Sequence, residues 1–167
     1  DALIESLTIP SRHYKGGLPE LFTRLLYHPR QGTGIAGLLA AAARLGRTKS
    51  LVFLISDFHQ PLNDLAELMR TLSRHDVVPV VIWDKAEFEA LPDYGFVVVV
   101  DPETRQKRRL FMRPWLREQF ERQFEERREA LRNLFAPHGR APLFLTEPYQ
   151  PDQLTHYFLT VSYTHLR

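Results

Sequence analysis

Five apolar residues in a row, Leu51-Val52-Phe53-Leu54-Ile55, stop abruptly at Ser56-Asp57. Five residues are too few for an ordinary helix, and apolar side chains at odd and even positions alike predict a strand covered on both faces, as in the middle of a parallel sheet. A parallel strand reaches its neighbour through a crossover, usually a helix. The sequence supplies one: Leu62, Leu65, Ala66, Met69 and Leu72 make a helical stripe, and Val77 to Trp83 is the next apolar run. Strand, helix, strand is the pattern of an α/β fold. Pro79 lies inside the second run, and its missing N–H predicts an edge position or a bulge.

The flanking segments extend this pattern. Leu3, Ile4, Leu7 and Ile9, closed by Pro10, read as a short strand. Leu18, Leu21, Phe22, Leu25 and Leu26 predict one buried helical stripe ending before Pro29, and Ile35, Leu38, Leu39, Ala42 and Leu45 predict a second helix that stops at Gly46. Phe96 to Val100, the turn Asp101-Pro102-Glu103-Thr104 and Leu110 to Met112 predict a hairpin. Arg113 to Phe135 reads as one long amphipathic helix with Leu116, Phe120, Phe124, Leu131 and Leu134 inward. A strand at Leu143 to Leu145 and a helix at Asp152 to Phe158 follow. Residues 161–167 continue neither pattern and read as a non-native tail, which leaves residues 1–160 for the fold.

Composition removes several classes. Cysteine is absent, which excludes disulfides, thiolate metal sites and a cysteine nucleophile and points to a reducing compartment. At 167 residues the chain suits one domain with a real core. No apolar run approaches the roughly 20 residues that span a bilayer, and residues 1–6 lack a basic signal region, so a cytoplasmic protein without a membrane segment is expected. Lys and Arg number 22 against 20 Asp and Glu, a balance that gives no reason to expect a nucleic-acid partner.

Two constellations compete at the second helix. Gly32, Gly34 and Gly37 match GxGxxG, with Asp57 further on, as in dinucleotide-binding folds. That chemistry needs a strand directly before the glycines, whereas the preceding segment reads as a helix; the other reading is that Thr33 begins a helix and the glycines permit a bend. The second constellation joins Thr33 to Ser56 and Asp57. Hydroxyl and carboxylate oxygens are hard ligands of the kind magnesium takes, and the carboxyl ends of parallel strands are where α/β folds place ligands. Alternatively, Ser56 and Asp57 simply cap the following loop.

The remaining candidates carry less. His13, His28, His59, His75, His138 and His156 are scattered without a zinc spacing, Ile55-Ser56-Asp57 lacks the GxSxG elbow, and Glu87 and Glu89 read as solvated. No catalytic residue is expected. Arg105, Lys107, Arg108 and Arg109 form a basic hairpin patch suited to an acidic partner or phosphates, or simply a solvated turn. The Arg and Glu residues of the long helix interleave, as on a solvated face laced with i,i+4 pairs.

The order of these segments resembles a known family. Gln31-Gly32-Thr33-Gly34-Ile35, then Leu51 to Phe58, His75-Asp76-Val77-Val78-Pro79-Val80-Val81-Ile82, Leu91-Pro92, Val100-Asp101-Pro102-Glu103-Thr104 and the Arg/Glu helix are similar to the von Willebrand factor A (VWA)-like proteins encoded beside bacterial MoxR-type AAA+ ATPases. The resemblance implies a three-layer α/β/α sandwich with a mostly parallel, Rossmann-like sheet. It implies a non-enzymatic protein-interaction module working with a MoxR-type ATPase in assembly or maturation of client complexes. It also implies a metal-ion-dependent adhesion site, in which Thr33 and Asp57 match two Mg²⁺ ligands and Ser56 is an outside candidate. The family's Asp-x-Ser-x-Ser element has no counterpart before Thr33, so the resemblance implies an N-terminally truncated domain with an incomplete site. A gap or re-pairing in the sheet is the expected consequence.

Overall fold

A computed structural model describes residues 18–27, 34–85, 91–100 and 106–164. In chain order the elements are α1 (Leu18–Tyr27), α2 (Ala36–Arg44), β1 (Leu51–Ser56), α3 (Leu62–Thr71), β2 (Asp76–Ile82), β3 (Gly95–Val100), β4 (Lys107–Met112), α4 (Pro114–Phe135), β5 (Leu143–Leu145) and α5 (Pro151–Thr164), with a 3₁₀ turn at Ala136–His138 after α4. The described strands form two sheets. β1, β2 and β5 pair in parallel in the order β1-β2-β5, and β3 pairs antiparallel with β4.

Strand alternation divides the parallel sheet between two helical layers. Val52 and Leu54 of β1 and Val77 and Val81 of β2 meet α2, α3 and α4, where Leu65, Leu68, Met69, Leu131 and Phe135 are buried. Val78 and Val80 face the other way, against Tyr157 and Phe158 of α5. Helices therefore flank both faces of a mixed α/β fold. Each fully buried Leu, Val or Phe contributes about 1.5–3 kcal/mol relative to exposure, so the larger cluster dominates the stability.

The two central strands exchange the roles expected of them. β2, with Pro79, is the middle strand, and β1 pairs with β2 alone among the described residues. Pro79 is fully buried opposite Leu54. Parity explains how the middle of the sheet tolerates it. The Asp76 N–H donates toward β1, to the Ser50 carbonyl at 2.9 Å, and the Trp83 N–H toward β5, to the Leu145 carbonyl at 3.0 Å. Odd residues of β2 thus direct their N–H to β5, whose pairing begins only at Val80 and Leu143. The donor that Pro79 lacks would have met the Ala141 carbonyl, which instead accepts the Tyr157 hydroxyl at 2.7 Å. No bulge is required.

On β1, the even face is covered, while Leu51, Phe53 and Ile55 lie exposed, Ile55 at 59%. An apolar run reports that a strand can be buried on both sides, not that both layers are present. The same applies to α1, where the expected buried stripe shows Phe22, Leu25 and Leu26 exposed among the described residues. Helical spacing makes a face apolar but supplies no partner for it.

Other boundaries shift modestly. Helix α2 starts at Ala36, with Ile35 rather than Thr33 next to its first turn, because the Ile35 side chain is drawn into the core and its carbonyl accepts the Leu39 N–H. Phe135, absent from the expected inward set of α4, is fully buried. Helix α5 continues through Thr164, beyond the break expected at residue 160, since each added residue of an established helix gains one backbone bond. The expected strand at residues 3–9 and the turn at residues 101–104 lie outside the described residues. No helix among the described residues is long and apolar enough to cross a membrane.

Candidate functional site at the carboxyl end of the parallel sheet

β1 ends by delivering Ser56 and Asp57 to the carboxyl edge of the sheet, as its sequence predicts. Both side chains turn back on their own loop. The Phe58 N–H donates to Ser56 Oγ at 3.1 Å, the His59 N–H to Asp57 Oδ1 at 3.4 Å, and Ser56 Oγ donates to Asp57 Oδ1 at 3.3 Å. Such two-residue bonds are the usual way Ser and Asp stabilise a turn. Asp57 Oδ2 has no hydrogen-bond partner among the described residues, and Asp57 is exposed.

The loop is held in a conformation that it would not choose. Phe58 has φ 53°, the left-handed region that a bulky residue enters at a cost of about 1–3 kcal/mol. Three groups compensate. The buried Phe58 ring packs edge-to-face on Phe135, with centroids 5.4 Å apart. Trp83 Nε1 donates to the Asp57 carbonyl at 2.8 Å. Arg127, from α4, donates through Nε (3.1 Å) and Nη2 (2.5 Å) to the Phe58 carbonyl, and through Nη2 to the Gln60 carbonyl. Burial pushes the Arg127 guanidinium below its usual range, and the Asp57 carboxylate opposes that shift. The guanidinium thus serves the fold as a fork of donors and the loop as a neighbouring positive charge.

A shallow groove of about 250 Å³ opens beside this loop, lined by His59, Phe120, Gln123, Phe124 and Arg127. The His59 ring stacks parallel to Trp83 at 6.3 Å, and Trp83 packs on Phe124 and Phe144. At the ends of the neighbouring strands, Lys85 pairs with Glu147, and that contact holds the Glu147 carboxyl below the ordinary carboxylate range.

Of the expected metal ligands, the structure places Ser56 and Asp57 side by side, while Thr33 lies outside the described residues. A resident magnesium ion takes six oxygens, commonly one or two carboxylates with several waters. Ser56 Oγ is already engaged with the loop, which leaves a single carboxylate oxygen. No group of three His, Asp or Glu residues suited to a metal occurs among the described residues. The described residues alone do not fit a magnesium ion.

The dinucleotide alternative places Gly37 inside the first turn of α2, while the preceding described element is the helix α1. The strand-turn-helix order that the fingerprint requires is not present among the described residues. Lys107, Arg108 and Arg109 lie on β4, in a different sheet from Asp57, and Arg105 lies outside the described residues.

Sequence reasoning missed Trp83 and Arg127 as the supports of Asp57. One signal was there. Phe120, Phe124, Arg127 and Leu131 follow one helical stripe, so Arg127 occupies a position where the pattern calls for an apolar side chain.

A family model described as protein of unknown function DUF58 matches residues 3–130. An uncharacterized protein of Mycobacterium tuberculosis is 30% identical over 118 residues, 68% of this chain and 37% of the relative. An uncharacterized protein of Mycobacterium avium is 32% identical over 116 residues, covering 67% and 68% of the two chains. A Paracoccus denitrificans protein, described as an uncharacterized protein in the moxR 3' region, is 33% identical over 100 residues, 59% of this chain and 94% of the relative. The chain thus spans little more than a third of the length of the Mycobacterium tuberculosis relative it matches. No solved structure matches.

Proposed function

The chain belongs to the DUF58 family, and on that premise we propose that it is the VWA-like core of a MoxR-associated interaction protein. It works without chemistry of its own, in the cytoplasm, beside a MoxR-type AAA+ ATPase during assembly or maturation of a client complex. The observation that carries this reading is the 33% identity to the Paracoccus denitrificans protein named for its place in the moxR 3' region, 94% of which the chain covers.

The Asp57 loop supplies the contact. Its geometry is fixed before any partner arrives, so little ordering is required on association, and preorganisation of this kind strengthens binding without adding contacts. One oxygen of the Asp57 carboxylate remains outside the loop's own hydrogen bonds and can accept from a partner's Arg or Lys. The groove at His59, Phe124 and Arg127 offers an apolar step beside it. Mg²⁺ belongs to this proposal only as a question for the test, because its remaining ligands would have to come from Thr33 or from residues beyond the described ones.

The experiment is a calorimetric titration of the full protein with the nucleotide-free MoxR-type ATPase encoded beside it, in magnesium and in EDTA. Binding is expected, with Asp57→Asn weakening it by about tenfold, the scale of one charge-assisted contact, while the isosteric amide keeps the loop's hydrogen bonds. Absence of binding in both buffers overturns the proposal. Binding that vanishes in EDTA assigns a metal to the interface, and binding that persists makes it metal-free.

A further inference from the structure

The β3–β4 hairpin divides the expected basic patch between two faces. Antiparallel register puts Phe96 opposite Phe111 and Val98 opposite Arg109. Alternation therefore groups Lys107, Arg109 and Phe111 with Phe96 and Val98, and places Arg108 on the reverse face with Leu110 and the fully buried Met112. Arg113 follows β4 with φ −139° and ψ 157°, still extended, so it continues the first face. Its guanidinium lies 5.6 Å from the Phe111 ring centroid.

That face is exposed. Phe96 is 79% exposed and Val98 51%, and the Phe96 and Phe111 rings meet edge-to-face at 5.0 Å. Lys107, Arg109 and Arg113 are exposed, and among the described residues no carboxylate pairs with them. On α4 and beyond it, by contrast, Arg117 pairs with Asp93 and Glu121, Arg132 with Glu125 and Glu129, and Arg140 with Asp76. Among the described residues, Lys107, Arg109 and Arg113 thus share one aromatic face in a chain whose net charge is only +2.

We infer that this face, Lys107, Arg109 and Arg113 around Phe96 and Phe111, is a second docking surface, whose occupant is an extended acidic segment of a protein partner. Charge complementarity selects the acidic partner, and the spacing selects its form. The three cations fall at i, i+2 and i+6 of one extended stretch about 20 Å long, with Phe111 at i+4, at roughly 3.4 Å per residue. An extended peptide has the same repeat. Carboxylates at its first, third and seventh positions meet the cations, and an apolar side chain at the fifth meets the aromatic pair. Arg108 takes no part, although its charge equals that of Arg109. The surface is independent of the Asp57 loop.

The test uses a fluorescent peptide, Glu-Thr-Glu-Thr-Leu-Thr-Glu, titrated by anisotropy against the full protein at low ionic strength. Arg109→Glu is expected to weaken binding by about tenfold or more, Arg108→Glu by less than about threefold, and added salt to weaken it throughout. Phe96→Ser is expected to weaken it as well, and Asp57→Asn to leave it unchanged. Arg109→Gln, with a retained thermal midpoint, guards against misfolding of the reversal variant. Equal losses at Arg108 and Arg109 overturn the inference, as does equal affinity for a permuted Glu-Glu-Glu-Thr-Thr-Leu-Thr peptide. Capture by phosphatidylglycerol vesicles without peptide binding also overturns it, in favour of a membrane surface.

Discussion

β2 and β3 are close to interchangeable as strings of residues, Asp-Val-Val-Pro-Val-Val-Ile against Gly-Phe-Val-Val-Val-Val, yet their surroundings are opposite. In β2 every residue from Val77 to Val81 is buried; in β3 Phe96, Val98 and Val99 are exposed. β2 lies between two strands and two helical layers, while β3 has a single partner strand among the described residues. Valine content selects the strand, and topology decides whether it becomes core or contact surface.

That contrast is open to direct attack. The largest effect is expected from Phe135→Ala, which empties space beneath the parallel sheet and should cost about 3–5 kcal/mol in urea denaturation, whereas Phe96→Ala on the hairpin should cost about 0.5 kcal/mol or less. Similar losses at both sites would erase the distinction. Next comes Arg127→Met, which strips the Phe58 and Gln60 carbonyls of their donors and should cost about 2–3 kcal/mol. Amide exchange at Phe58 and His59 should then accelerate more than exchange in β4.

Tyr157→Phe should cost about 1 kcal/mol, since it leaves the Ala141 carbonyl without its donor. Burial raises the Tyr157 hydroxyl above its usual value. The unfolded chain therefore ionises first, and wild-type stability should be intact below about pH 10 and decline as pH rises toward the folded value. The phenylalanine variant should lack that component of the decline; an unchanged alkaline profile would place Tyr157's role elsewhere. The smallest effect is expected from Arg109→Gln, within about 0.5 kcal/mol, because the side chain is exposed and unpaired among the described residues.

The elements of the parallel sheet were legible because their periods are clean: Leu62, Leu65, Ala66, Met69 and Leu72 recur at helical spacing, and Leu51 to Ile55 is an unbroken apolar run of strand length. Ser56 and Asp57 were legible at the carboxyl end for the same reason. The brace behind them was hidden by distance, since Arg127 and Phe58 are separated by 69 residues and no local pattern joins them. Pro79 misled because the edge rule concerns a lost ladder bond, and here the pairing with β5 begins only at Val80 while the Tyr157 hydroxyl answers the carbonyl that the missing donor would have met. Leu51, Phe53 and Ile55 misled because a sequence records what a face could cover, not what stands opposite it.

The bond from Tyr157 to Ala141 also sets an order of events. β5 closes the sheet only after residue 145 exists, and the carbonyl that Pro79 leaves unanswered waits a further twelve residues for its hydroxyl. On a ribosome adding about 5–20 residues per second, the βαβ unit can form early, but the sheet is sealed only once α5 emerges. Until then the Ala141 carbonyl relies on water. A nascent chain stalled before Tyr157 should therefore be far more open to protease than one released just beyond it.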